Sequence, residues 1–498
     1  MRIPFPERIP INRVIVFAVL LFLIQQLEGT ALYFSAGCVA FLLIAALAFN
    51  TAGGFTRASG GYVFFYSVLV VIVGLCYKAF LGERAESNLL DPKSTIAVYV
   101  GGIAAMLAAV SVSRRLSRKT GLLQNMLNES QMYRSSIGCI VFAIAAPYMI
   151  ALLGSAGYKI QSAFTQINEL IPLGIMIGII YEIRRSGGTR SINLSTGLAM
   201  IYFFFVFGIL GFSKQGMLTP MICWVLPVCA MRFRLTPLQV AGCLLCAFVV
   251  FQYLVPFSEY GRRYFVGNPT IIQRIEITFP LLEHPDKLRR DYEETEEAGA
   301  YGNSYFGTAQ GFWDRLTFIA VDDSLIDFTD QGHVFGFSPI PASFVNIVPH
   351  VILPNKPNIN YGNVYLHELG GLSADDTTTG ISFSPTAEAY HMGKWIGVLV
   401  VAPLIWFLLF VTFDSVFGDL RTTPWGLLVL VGISHTAPEG ALAGAIYFLV
   451  YQLIAFTFCA LFATWVAPTF ATAVLGRDRR IVKPPPSFQP AIAPRIPQ

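Results

Sequence analysis

The chain has 498 residues, of which 54% are hydrophobic and only 13% charged, with a net charge of +4 and a mean hydropathy of +0.59. Soluble domains carry about 25% charged residues, so this composition excludes an ordinary soluble globule. The apolar residues gather into runs long enough to cross a bilayer, which takes about 20 residues as a helix. The expected fold class is therefore an all-α polytopic membrane protein.

The N-terminus, MRIPFPERIPINR, is basic and Pro-rich, and residues 14–24 form an apolar run without a small-x-small cleavage pattern. That run reads as an uncleaved first helix. Twelve transmembrane helices are expected, at 11–28, 30–50, 61–81, 94–113, 135–155, 162–182, 193–213, 216–231, 237–256, 394–412, 424–440 and 441–466. One large loop separates the ninth from the tenth. The domain division is 1–256 for the first nine spans, 257–393 for the loop, 394–468 for the last three spans, and 469–498 for a Pro-rich tail.

Charge in the connections orients this arrangement. Arg57, Arg114, Arg115, Arg118, Lys119, Arg134, Arg184, Arg185, Arg190, Arg232, Arg234 and Arg421 fall in connections that share a side with the N-terminus. The short connections on the opposite side hold only Arg84, Lys93, Lys159 and Lys214, with Lys78 at a helix end. Basic residues stay in the cytoplasm, so both termini are expected there and the loop outside. The eight cysteines all lie in apolar runs, and Cys243-Leu-Leu-Cys246 reads as two small core residues in mid-helix.

The loop concentrates the chemistry. Five of the six histidines, His284, His333, His350, His367 and His391, lie within 258–393. Residues 286–297, DKLRRDYEETEE, read as a solvated helix. The apolar stretch 334–353 is cut by Pro339, Pro341 and Pro349. It reads either as a segment lying at the membrane interface or as the core of a small outer domain.

Arg262 and Arg263 follow the ninth span, and Arg315 lies in FWDRLTF. Arginine keeps its charge and grips phosphate oxygens through paired hydrogen bonds. These three are expected to bind a pyrophosphate, against the plainer reading that they pair with Glu259, Asp314 or lipid head groups. Lys356, in LPNKPN, is a secondary candidate.

His367 and Glu368, in YLHELGG, form a candidate for proton transfer from a hydroxyl, since imidazole titrates near neutrality. The alternative is a histidine bonded to backbone. HELGG lacks the second histidine of a zinc HExxH motif, and no metal or cofactor is expected. Glu388 and His391, in PTAEAYHMGKWIG just before the tenth span, are three apart and would share a helix face. His435 and Glu439, four apart near the outer end of the eleventh span, are candidates because ionisable groups in a membrane segment are commonly functional. Glu169 and Glu28 are further candidates, and Gly440-x-x-x-Gly444 has the spacing either of a close helix contact or of ordinary packing.

The span pattern, GRRYF after the ninth span and SPTAEAYHMGKWIG before the tenth together resemble the Wzy-type O-antigen and exopolysaccharide repeat-unit polymerases, whose architecture is related to that of the O-antigen ligases. The resemblance implies a bacterial inner-membrane glycosyltransferase that polymerises polyprenyl-pyrophosphate-linked oligosaccharides at the periplasmic face without a metal. Arg262 and Arg263 would take the family's arginine role, and His367 would match the histidine of the ligase branch. The implied partners are the lipid-linked oligosaccharide, membrane lipids, a chain-length regulator and a flippase, and no nucleic acid. No G-x-x-x-x-G-K-[ST] nucleotide motif is present. A flippase for lipid-linked saccharide, or another membrane glycosyltransferase or ligase, is the alternative reading.

Overall fold

The computed structural model describes residues 2–124, 126–151, 165–262, 271–284, 286–288, 290, 304–308, 310, 313–348, 353, 356, 359–373, 375–376 and 380–476. Among these, every regular element is helical and there is no strand. Seven helices are long and apolar enough to cross a membrane: α2 (Leu32–Ala52), α3 (Ala58–Phe80), α4 (Pro92–Leu116), α5 (Glu129–Ile150), α9 (Pro237–Ser258), α14 (Pro385–Phe417) and α16 (Ala441–Val474). Between them run the shorter α1 (Ile11–Leu27), α6 (Leu170–Arg185), α7 (Leu194–Ile209), α8 (Lys214–Ala230) and α15 (Pro424–Glu439). Each of the twelve expected apolar runs thus contains helix. The loop adds α10 (Ile271–Glu283), α11 (Ile319–Asp330), α12 (Pro339–Ile347) and α13 (Tyr361–Glu368).

Helix starts follow from local chemistry. A side-chain oxygen just ahead of a helix accepts one of its unpaired backbone N–H groups, and proline fits the first turn because it lacks an N–H to orphan. Asp91–Pro92, Thr236–Pro237, Ser384–Pro385 and Thr423–Pro424 all do this, and Asn193 with Thr196 closes a reciprocal capping box.

Contacts sort the connections to two ends. At one, the buried Arg57 guanidinium donates to the carbonyls of Arg118, Lys119 and Asp414 at 3.2, 3.0 and 2.9 Å. Leu420 N donates to Thr56 O, Leu123 N to Val416 O, and Arg421 bridges Glu7 and Asp419. At the other, the loop docks. Tyr305 donates its phenol hydrogen to Ala85 O (2.7 Å), and the buried Lys78 ammonium donates to the carbonyls of Ser87 and Tyr305 beneath the Tyr305 ring.

Helices run across two of the expected borders. The expected loop–span border at 393/394 falls inside α14, whose helix starts at Pro385 and kinks at Gly393 and Lys394. Lys394 sits at φ 48°, a left-handed conformation costly for a side chain. Gly393 packs so close to the Phe337 ring, and Gly397 to the Ala389 carbonyl, that neither has room for a Cβ. Helix α16 continues to Val474, past the expected start of the tail at 469, and residues 477–498 lie outside the described residues. The apolar 334–353 stretch contributes α12, started by Pro339 and packed on the beginning of α16. Most of the 286–297 segment lies outside the described residues.

Candidate functional site

Where the loop meets the bundle, α12, α13, α14 and the junction of α15 with α16 enclose a cavity of about 330 Å³. Glu388 and Glu439 both line it, with Asn346, Asn360, Tyr361 and Tyr365. Glu388 has no exposed surface. One of its carboxylate oxygens accepts the Tyr365 phenol hydrogen (3.1 Å) and the other accepts the Leu442 N–H (2.6 Å). It ties the loop to the start of α16, so it is a positioning group. Burial first, and the Glu388 charge second, push the Tyr365 phenol well above its usual range, so it remains a donor.

The junction itself is strained. Gly440 follows the end of α15, and Ala441 takes φ 50°, a left-handed conformation that a non-glycine adopts only where its surroundings impose it. This conformation accompanies the Leu442 N–H to Glu388 bond. Gly440 and Gly444 therefore line the cavity, and the residue beside Gly444 is Thr436 of the preceding helix.

At the rim, His435 Nδ1 lies 3.2 Å from Glu439 Oε2, with side chains 51% and 42% exposed. The expected four-residue pairing thus forms. It places a carboxylate that solvent and ligand can both reach beside an imidazole that can share its proton.

Behind the cavity, His391 is fully buried and Tyr365 packs edge-on against it, ring centroids 5.0 Å apart. The Thr329 hydroxyl lies 2.8 Å from His391 Nδ1 and 2.6 Å from Leu325 O, and can give its one hydrogen to either. His391 Nε2 lies 3.3 Å from Glu368 Oε2, and a neutral imidazole that donates there accepts the Thr329 hydrogen at Nδ1. Burial raises the Glu368 carboxyl above its ordinary value, opposed by the charge of His333.

The remaining expected residues are placed apart. His367 Nε2 contacts the Asp376 carbonyl at 2.8 Å, which requires Nε2 to carry a hydrogen; neither His367 nor Glu368 lines the cavity. Glu388 and His391 share a helix face, as expected, but meet through Tyr365 and not through a common ligand. Lys356 Nζ donates to the carbonyls of Asn346 and Val348 at 2.5 and 2.6 Å. Arg262 ends the helix that continues from α9 and Arg315 sits in a short turn at Trp313–Leu316; of both only the backbone is described. Arg263 and His350 lie outside the described residues. Glu28 lies beside Glu83, and Glu169 precedes α6; neither lines the cavity. Among the described residues no three His, Cys, Asp or Glu side chains come together as a metal site.

No family model, curated protein or solved structure matches this chain. Its site is therefore described by its geometry alone.

Sequence reasoning missed Asp322, Asp323 and Thr329. Asp322 accepts from Tyr99 O–H (2.7 Å) and Ser384 N–H (2.9 Å). Asp323 accepts from Thr95 O–H, Leu90 N–H and Asp91 N–H. Both are buried, and together they bolt α11 to α4 and to the start of α14. A signal existed: two adjacent aspartates flanked by apolar residues in FIAVDDSLIDF. Buried carboxylates need such partners.

Proposed function

We propose that the chain is a membrane glycosyltransferase that joins polyprenyl-pyrophosphate-linked oligosaccharide units outside the cytoplasm. The observation that carries this reading is the cavity between loop and bundle, lined by Glu388 and Glu439 with the His435–Glu439 pair at its rim. In this reading the twelve helical segments all cross a bacterial inner membrane. The ends holding Arg57, Arg118 and Arg421 face the cytoplasm, as their charge favours, and the cavity opens on the far side.

Glu439 takes the proton of the acceptor hydroxyl while His435 holds the carboxylate in place. The hydroxyl oxygen bonds to the donor's anomeric carbon as that carbon's bond to pyrophosphate breaks. The basic Arg262–Arg263 segment receives the departing charge. Glu388 fixes the cavity wall through Tyr365 and Leu442. Holding both chains at one membrane face makes their encounter local.

A carrier of the same lipid-linked saccharide is the second reading. It is favoured by the π-helical turns inside α3, α7, α9, α14 and α16, wide turns that recur at functional sites. Reconstituting the full-length protein in vesicles with a lipid-linked oligosaccharide separates the two. A ladder of longer products supports transfer, whereas movement of the lipid across the bilayer with no product supports the carrier. A reporter fused near residue 300 that proved cytosolic would overturn both orientation and mechanism.

A further inference from the structure

We infer that the cavity seats the terminal, uncharged sugar of the acceptor chain and turns away acidic sugars and phosphate; this deepens, and rests on, the transfer reading above. Size is the first argument. At about 330 Å³ the cavity is at the small end of ligand sites, which run from about 300 to about 1,000 Å³. It suits the end of a saccharide chain and not the chain itself.

Charge is the second. Among the described residues the lining holds two carboxylates, Glu388 and Glu439, and no Lys, Arg or His. A phosphate or a uronic acid placed there would meet like charge, and discrimination of that kind needs only the repulsive group. Lys356 is not part of the lining; its ammonium is bonded to the carbonyls of Asn346 and Val348, where it braces the Asn346 wall. The pyrophosphate must then be held outside the cavity.

Donor and acceptor supply is the third. Asn346 and Asn360 bring amides that both donate and accept, and Tyr361 and Tyr365 bring broad rings with polar tips. Neutral hydroxyl groups on a ring with apolar faces match this set. Glu388 has no exposed surface and is held by Tyr365 and Leu442, whereas the Glu439 side chain is 42% exposed, which leaves Glu439 as the carboxylate that meets the sugar.

The test is binding to the purified full-length protein in nanodiscs, using a panel of neutral trisaccharides, the same trisaccharides with the terminal sugar oxidised to a uronic acid, and inorganic pyrophosphate. At least one neutral member should bind, its oxidised form at least tenfold more weakly, and pyrophosphate should not compete. Glu439→Gln should bring the oxidised form to within a few-fold of the neutral one. Asn360→Ala should weaken neutral binding while keeping the discrimination, which separates recognition from misfolding. The proposal is overturned if no neutral member binds, if both forms bind alike in the wild type, or if pyrophosphate displaces the sugar. Binding as expected without any product from a lipid-linked donor would sink the transfer reading and leave the sugar seat standing. Product formed equally well on neutral and acidic acceptors would do the reverse.

Discussion

Two sets of carboxylates stand at the loop end of the bundle, and they are bonded in different ways. Asp322 and Asp323 on α11 are buried and surrounded by donors: a tyrosine, a threonine and three backbone N–H groups. Glu388 and Glu439 stand at a cavity, one unexposed and held by Tyr365 and Leu442, the other paired at its rim with a half-exposed histidine. The same functional group serves as an anchor where donors converge on it and as a reactive group where space is left beside it. A carboxylate's role is thus set by how many of its lone pairs the fold has already taken.

The sharpest way to break this comparison is at Glu439. Glu439→Gln keeps the shape and removes the base, and transfer from a lipid-linked donor should fall by about 10²–10⁴-fold, read as the rate of product-ladder growth. A drop of less than tenfold would place the proton acceptor elsewhere. On the anchoring side, Asp323→Ala leaves the Leu90 and Asp91 amides and the Thr95 hydroxyl without their acceptor. Each orphaned buried donor costs about 1–3 kcal/mol, so thermal unfolding in detergent should register a loss of about 3 kcal/mol or more. Unfolding at the wild-type temperature would mean that α11 docks by other means.

A third measurement uses pH. Burial lifts the Asp322 carboxyl from 3.8 to about 6, against hydrogen bonds from Ser384 and Tyr99 that pull it down. Between those values the folded protein binds more protons than the unfolded chain. Stability from this group is therefore full below the ordinary carboxylate value and is lost as pH rises towards about 6, with a total of about 3 kcal/mol at about 1.4 kcal/mol per unit. Unfolding followed from about pH 4 to about pH 7 should show that decline, and Asp322→Asn should flatten it. Unchanged slopes in the variant would assign the dependence to another group, Glu368 first, since its carboxyl is raised as well.

The smallest effect is expected behind the cavity. Thr329→Val removes the hydroxyl that lies 2.8 Å from His391 Nδ1 and should cost about 1 kcal/mol. The informative readout is the nitrogen resonances of His391, which should show a hydrogen on Nε2 and a hydrogen-bonded, unprotonated Nδ1 in the wild type. A hydrogen on Nδ1 in the wild type would contradict donation from Nε2 to Glu368.

The helices themselves were legible in the residues. Apolar run length is a local property, and each of the twelve expected runs holds a helix. The His435–Glu439 pair was legible too, because four residues on a helix bring two side chains to one face. The first turns of α14, PTAEAYHM, are polar and lie before the expected start of the tenth span, yet they run on into its apolar helix. They are helical because Asp322, Tyr365 and Leu442, distant in sequence, supply donors and acceptors there.

What the sequence by itself determined is that this chain must be helical and apolar, with its polar residues gathered between two sets of helices, because hydrophobicity and capping act over a few residues. Which carboxylates are anchors and which are open, that His367 contacts a backbone carbonyl while His391 faces Glu368, and that Glu439 and Glu388 meet across one cavity were decided only by the tertiary structure. Those roles depend on partners brought from tens to hundreds of positions away, and local pattern carries no record of which distant donor will arrive.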